Sequence, residues 1–354
     1  MPLVDDIKKI VEKSLNAPSG SNSQPWKFKI TENMLEILAF PEYDHPVLNY
    51  NNRGTWIAHG ALIENITISA RTAGYDTEVK VFPNFPDIKT SALIYFKATT
   101  PENDVLQEAI KNRCTNRKPY NFTPLSINQK NDLLNILNEE QRARVIIVED
   151  KKKIEELCKL LCINEVVTLE NKKLHELFFK EILWQEKLAL AGKSGLYLPT
   201  MELAKPKQLA LRLVKSWTIM NFLNKLGFAK LIAKDNAKVF GTAPFMGAIL
   251  ATDDERGFIE AGRIMERIWL KATEMKLSFH LIAGILFFWQ ALKDAIIKTN
   301  LEQSGHVFLI ENTYTEIKNI FGNPSDIIAL TFRVGFSKNP TSLSYKKSIE
   351  HFLI

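Results

Sequence analysis

The chain of 354 residues has little cysteine: Cys114, Cys158 and Cys162 are all it carries. An odd, sparse count leaves no disulfide framework and fits a reducing compartment. Cys158 and Cys162 lie four apart on an expected helix with no cluster of His or further Cys beside them. They read as buried apolar side chains, and no metal site is expected. Long hydrophobic runs are missing as well. The longest, near Leu281–Trp289, falls far short of the ~20 residues that span a bilayer. Met1–Lys13 is charged and amphipathic, without the apolar core of a signal peptide. A cytoplasmic protein with no membrane partner is expected. No dense Lys/Arg stripe is interleaved with aromatics, so the net charge of +6 reads as a solvated surface. It can draw anionic ligands such as phosphates but is no nucleic-acid footprint. Neither a Gly-x-Gly-x-x-Gly fingerprint nor a Walker loop is present. Nothing points to a Ser-His-Asp triad, and no catalytic side chain is assigned.

What is there is an ordinary globular balance, 45% hydrophobic and 24% charged, long enough for two domains or one two-lobed unit. It also holds a repeat. His59-Gly60-Ala61-Leu62-Ile63-Glu64-Asn65-Ile66 matches Ala261-Gly262-Arg263-Ile264-Met265-Glu266-Arg267-Ile268 without a gap, and Ala70 falls opposite Ala272. Both segments have helical spacing of apolar residues, and Gly74 supplies a C-cap to the first. Strands are expected after each helix: 78–82 and 91–96 in the first half, 279–282 and 327–334 in the second. The shared order helix, strand, connection, strand predicts an internal duplication. Two like copies can then pack as a homodimer would, with one ligand site between them. The break falls near Thr99–Asn103, giving units 1–100 and 101–354. The second is longer, with an extra helical stretch near Glu165–Lys187. Residues 196–238 form an expected insertion, in which the Leu-, Phe- and Trp-rich 209–233 reads as a cover.

Asn16-Ala17-Pro18-Ser19-Gly20-Ser21-Asn22-Ser23-Gln24-Pro25-Trp26-Lys27-Phe28 joins a short helix to a strand and crowds donors and acceptors into a turn. The pattern Ala-Pro-Ser-x-x-Asn-x-Gln-Pro-Trp-x-Phe resembles the hallmark loop of the FMN-dependent nitroreductase family. Arg113-Cys114-Thr115-Asn116-Arg117 resembles that family's Arg-x-Ser-x-Arg element, and a guanidinium fork beside a hydroxyl suits a phosphate. The resemblance implies that Pro18, Ser19, Gly20 and Asn22 contact a flavin, with Gln24 in support. It implies that Arg113, Thr115 and Arg117 hold the FMN phosphate and ribityl chain. It implies a late basic residue at the phosphate, Lys346 or Lys347, and a backbone segment over the ring, Ile282-Ala283-Gly284.

The first half has no Arg-x-Ser-x-Arg, and the second has no Pro-Ser-x-x-Asn loop. One complete site is therefore expected, in a chain similar to the single-chain Acg-like branch. The fold implied is α+β: two nitroreductase-like units, each an antiparallel-rich sheet flanked by long helices, fused as an internal pseudo-dimer that can pair again. The activity implied is reduction of nitroaromatic, quinone or similar acceptors by NAD(P)H through FMN. The alternative is a lidded flavin-binding or storage protein with little reductase activity. His59 and His280 read as satisfied histidines, Arg53 as a salt-bridge partner, and Asp253-Asp254-Glu255 as the charged start of a helix.

Overall fold

In the computed structural model, which describes residues 4–135 and 142–354, the first hundred residues run α1 (Val4–Ser14), the hairpin β1 (Trp26–Thr31) and β2 (Met34–Ala39), the long helix α2 (Arg53–Thr72), β3 (Tyr75–Val81) and β4 (Thr90–Ala98). Then come α3 (Leu106–Asn112), α4 (Ile127–Asn135) and β5 (Ala143–Val148). An excursion follows: α5 (Lys151–Leu161), α6 (Ile163–Glu170), α7 (Lys172–Glu181), β6 (Ile182–Leu183), α8 (Glu186–Leu190), β7 (Leu196–Tyr197), α9 (Lys205–Leu213), α10 (Trp217–Asn224) and α11 (Phe228–Phe240). The chain closes with β8 (Phe245–Ala251), the second long helix α12 (Glu255–Glu274), β9 (Ser278–Leu281), α13 (Gly284–Ala291), α14 (Ala295–Glu302), α15 (Val307–Ile320) and β10 (Ile327–Gly335).

The two larger sheets share one plan. The first has the order β1-β2-β4-β3 and the second β5-β8-β10-β9, and every pairing in both is antiparallel. With β5, β8, β9 and β10 set against β1, β2, β3 and β4, the orders coincide. The long helix enters each sheet's chain at the same point, between the second and third strands. The difference lies in the hairpins. Glu32 and Asn33 suffice to turn β1 into β2, whereas β5 reaches β8 only after the whole stretch 149–244. The helical stretch expected near 165–187 breaks at Asn171, whose side chain accepts from Leu174 N–H and starts α7 afresh. Residues 196–238 hold β7, α9, α10 and most of α11. Lys151–Lys153 open α5 as an exposed first turn, and Cys158 and Cys162 are buried.

Burial explains the patterns. β3 alternates between exposed and half-buried residues, as a strand with one wet face should. β8 and β10 are buried at every position, because the second sheet is covered on both faces. Phe245, Ile249 and Ala251 join the central core, while Met246, Ala248 and Leu250 join a second core under α5, α13 and α15. α2 and α12 lie side by side in the central core and are buried almost all round. They approach at their matched glycines. A Cβ on Gly60 would stand 2.0 Å from Ile259 O, and one on Gly262 would stand 2.1 Å from Ile57 O. The two contacts exchange under the repeat, since Ile57 and Gly60 correspond to Ile259 and Gly262.

Candidate functional site

The loop after α1 is held in a costly shape. Ser21, Asn22 and Gln24 take φ of 46°, 55° and 52°, and each non-glycine residue there costs on the order of 1–3 kcal/mol. Several contacts hold it. Gln24 N–H donates to Ser19 Oγ at 2.9 Å, Lys347 N–H donates to Gln24 Oε1 at 3.1 Å, and Asn22 Nδ2 donates to Tyr345 O at 2.8 Å. Buried His59 pins the exit, 2.6 Å from Ser91 Oγ and 2.9 Å from Pro25 O. Burial pulls its pKa down to about 4, so it is a neutral, satisfied histidine.

Two cations converge on this loop from distant parts of the chain. Arg113, just beyond α3, donates through Nη2 to Asn16 O, and Asn16 Nδ2 returns to Ile110 O at 2.6 Å and Arg113 O at 3.2 Å. The guanidinium also lies 4.2 Å over the Trp269 ring, with Nε 3.3 Å from Glu266 Oε1. Lys346 Nζ donates to Ala17 O at 2.8 Å. The ammonium that reaches the loop is thus that of Lys346, while Lys347 contributes its backbone.

Burial pushes the Glu266 carboxyl up to about 7, and burial with neighbouring Arg113 pushes Lys346 down to about 7. Two basic groups therefore face one carboxyl that is itself reluctant to ionise. Arg113 Nε and Asn22 Oδ1 are buried without hydrogen-bond partners. Arg113 and Lys346 are donors that fit a phosphate, which accepts from both cations and relieves their crowding, whereas Asn22 Oδ1 can only accept.

The other expected site residues make contacts of their own. Arg117 Nη1 donates to Thr200 O at 2.9 Å, toward the excursion. Thr115 is half-buried and makes a backbone bridge to Phe279. Ile282 N–H donates to Thr331 O at 2.9 Å, and a Cβ on Gly284 would meet the Asn164 side chain at 2.2 Å. That segment is anchored to β10 and α6. Pro18 and Gly20 form the turn between Ala17 and the strained residues. His280 accepts from Arg333 Nε at 3.1 Å within a buried cluster. Arg53 pairs with Asp253, and Asp254 caps α12 through Gly257 N–H.

Three groups that sequence reasoning missed border the loop. Asp44 accepts from the hydroxyls of Ser23 and Thr55, and burial lifts its pKa to about 6. From α7, Glu181 accepts from Ser21 Oγ at 2.5 Å, and Ser194 Oγ donates to Ser23 O at 3.2 Å. Glu266 is the third, and its repeat partner shows what it does. Glu64 is neutralised by Arg263 at 3.0 Å and Arg267 at 2.7 Å. The repeat counterparts of those arginines are Ala61 and Asn65, and Asn65 is the neutral neighbour of Glu266. One carboxylate is satisfied by α12 itself. The other takes its counter-charge from Arg113, on the side where the loop sits. The matched columns Glu64/Glu266 were the only sequence signal for this.

No family model matches the chain. Among curated proteins, a Mycobacterium tuberculosis protein with the provisional name NAD(P)H nitroreductase is 25% identical over 126 residues, 35% of this chain and 37% of the relative. The Acg protein of the same organism, with the same provisional name, is 27% identical over 127 residues, 35% of this chain and 38% of the relative. The chain is similar over about a third of its length to these proteins named as nitroreductases. A third M. tuberculosis relative, uncharacterised, is 22% identical over 291 residues, 80% of this chain but 40% of the relative. The chain thus spans about two fifths of the length of these curated relatives. Solved structures overlap only partly. Nitroreductase A of Vibrio parahaemolyticus gives a TM-score of 0.37 at 10% identity, over 69% of this chain and 72% of that one. A nitroreductase with bound FMN from Desulfitobacterium hafniense gives 0.36 at 14% identity, over 70% and 97%. Among the described residues no helix is long and apolar enough to cross a membrane.

Proposed function

We propose that the chain is an FMN-dependent oxidoreductase of nitroreductase type, with one flavin held between two unequal halves of an internal duplication, units 1–100 and 101–354. The observation that carries it is the convergence of the 16–24 loop, Arg113 and Lys346, three segments that sequence alone leaves far apart. In this reading Arg113 and Lys346 hold the phosphate, Glu266 orients Arg113, and Ser19 and Asn22 edge the flavin. Thr115 and the Ile282–Gly284 backbone complete the cradle, and Arg117 steadies the excursion beside it. FMN supplies hydride exchange at ring nitrogen N5. The reductant is NAD(P)H, and the acceptor is a nitroaromatic, quinone or similar conjugated compound. Support for the duplication comes from the matched sheet orders, the reciprocal Gly60/Gly262 contacts and the gap-free helix repeat.

A second reading, a covered flavin-binding protein with little turnover, is favoured by one observation. The excursion touches the loop through Glu181 and Ser194. One measurement separates them. The purified protein is expected to show a flavin spectrum with one FMN per chain, and anaerobic NADPH or NADH is expected to bleach it. Bleaching by dithionite but by neither nucleotide selects the covered binder. A colourless protein that takes up no added FMN overturns both.

A further inference from the structure

The excursion carries a surface that the flavin reading does not use. Residues 205–238 contain eight Lys or Arg and one acidic residue, Asp235, whereas the whole chain has a net charge of +6. This one tenth of the chain therefore carries more than the whole positive excess, and the remainder is slightly negative. The single carboxylate is already taken, because Lys207 of α9 pairs with Asp235 of α11. Lys205, Lys225, Lys230, Lys234 and Lys238 are all exposed.

Apolar side chains stand among these lysines. Leu209, Leu213, Ile219, Phe222, Leu226 and Leu231 are 62, 59, 42, 62, 74 and 59% exposed. They do not face a core. α9, α10 and α11 pack inward with a different set, Leu211, Val214, Trp217, Met220, Phe228 and Ile232, over a satellite core that includes Phe179 and Leu198. The three helices thus share an inner apolar cluster and leave a second set of apolar side chains, together with the lysines, exposed to solvent. A purely polar partner would leave the leucines and Phe222 wet, and a purely apolar one would strand the lysines. An interface that is apolar below and anionic above satisfies both.

We propose that α9, α10 and α11 form a peripheral docking face for an anionic phospholipid bilayer. The apolar side chains enter the headgroup–acyl boundary while the lysines meet lipid phosphates. The expectation of no membrane partner rested on the lack of a spanning run, and a helix lying in the interface needs none. Docking does not depend on the flavin.

The test is co-sedimentation of the full chain with vesicles of phosphatidylcholine containing about 30 mol% phosphatidylglycerol, against pure phosphatidylcholine. Binding to the anionic vesicles alone is expected, weakening by about tenfold or more in high salt, because a few ångströms of screening length cut headgroup attraction. Phe222→Asp with Leu226→Asp is expected to abolish it, and Lys230→Glu with Lys234→Glu to weaken it at least about tenfold. All four sites are exposed, so circular dichroism and flavin content should stay unchanged. Wild-type protein that ignores anionic vesicles, or variants that sediment as well as wild type, overturn the proposal. So does a concentration-dependent dimer lost in the Phe222/Leu226 variant without vesicle binding, which assigns the face to a second copy. Binding to duplex DNA without vesicle binding overturns it equally.

Discussion

At the scale of single residues, the site rests on an imbalance of charge. Arg113 and Lys346 crowd one another, and Glu266 compensates them only in part. Arg113→Ala is expected to weaken FMN binding by roughly 10- to 100-fold, the value of about 1.5–3 kcal/mol for a hydrogen bond to a charged group. Arg117→Ala should cost much less, because its guanidinium is spent on Thr200 O; fluorescence titration of apoprotein with FMN reads both. Lys346 also sets a pH dependence. Its pKa falls from 10.5 to about 7 on folding, so above 7 the empty site must take up a proton before it offers an ammonium. FMN affinity is therefore expected to fall as pH rises above about 7, by up to about tenfold per pH unit, and Lys346→Met should flatten that slope. In the apoprotein the same shift makes the folded state bind fewer protons than the unfolded one between about 7 and 10.5, so this group's contribution to stability rises with pH across that window.

At the scale of elements, the decisive contact is helix on helix. Gly60 and Gly262 let α2 and α12 approach until each Cα faces the other helix's backbone carbonyl. The obstacle to a larger residue is backbone, which no rotamer change can move aside. Gly262→Val is expected to destabilise by at least the roughly 1–3 kcal/mol of an overpacked core, read as a lowered denaturant midpoint. Gly74→Ala, at φ +86°, is a smaller and local change, costing about 1 kcal/mol. The repeated glycines were legible as matched letters, but their role was not. A glycine at helical spacing says nothing of what lies across from it.

For the whole molecule, one core binds the two halves. Trp26, Phe28 and Ile63 belong to the same buried cluster as Ile264, Phe279 and Phe332. The first hundred residues alone would expose most of α2, so fragment 1–100 is expected to give no cooperative thermal transition by itself and to gain one when co-expressed with 101–354. A sharp independent melt of fragment 1–100 would show that the two halves are separate domains. The excursion between β5 and β8 is the asymmetric part. It adds its own small core, touches the 16–24 loop on one side and turns a basic apolar surface outward on the other.

Much of the plan was legible in order along the chain. The loop from Asn16 to Phe28 carries its turn chemistry locally, and the two long helices declare themselves by period. These features are short-range, and neighbouring residues suffice to specify them. Only the tertiary structure decided which ammonium reaches the loop, why Glu266 rather than Glu64 faces Arg113, and that Arg117 turns to Thr200. Each of those depends on which side chains burial brings together across more than a hundred residues. Desolvation then sets their charges, and no local pattern encodes that.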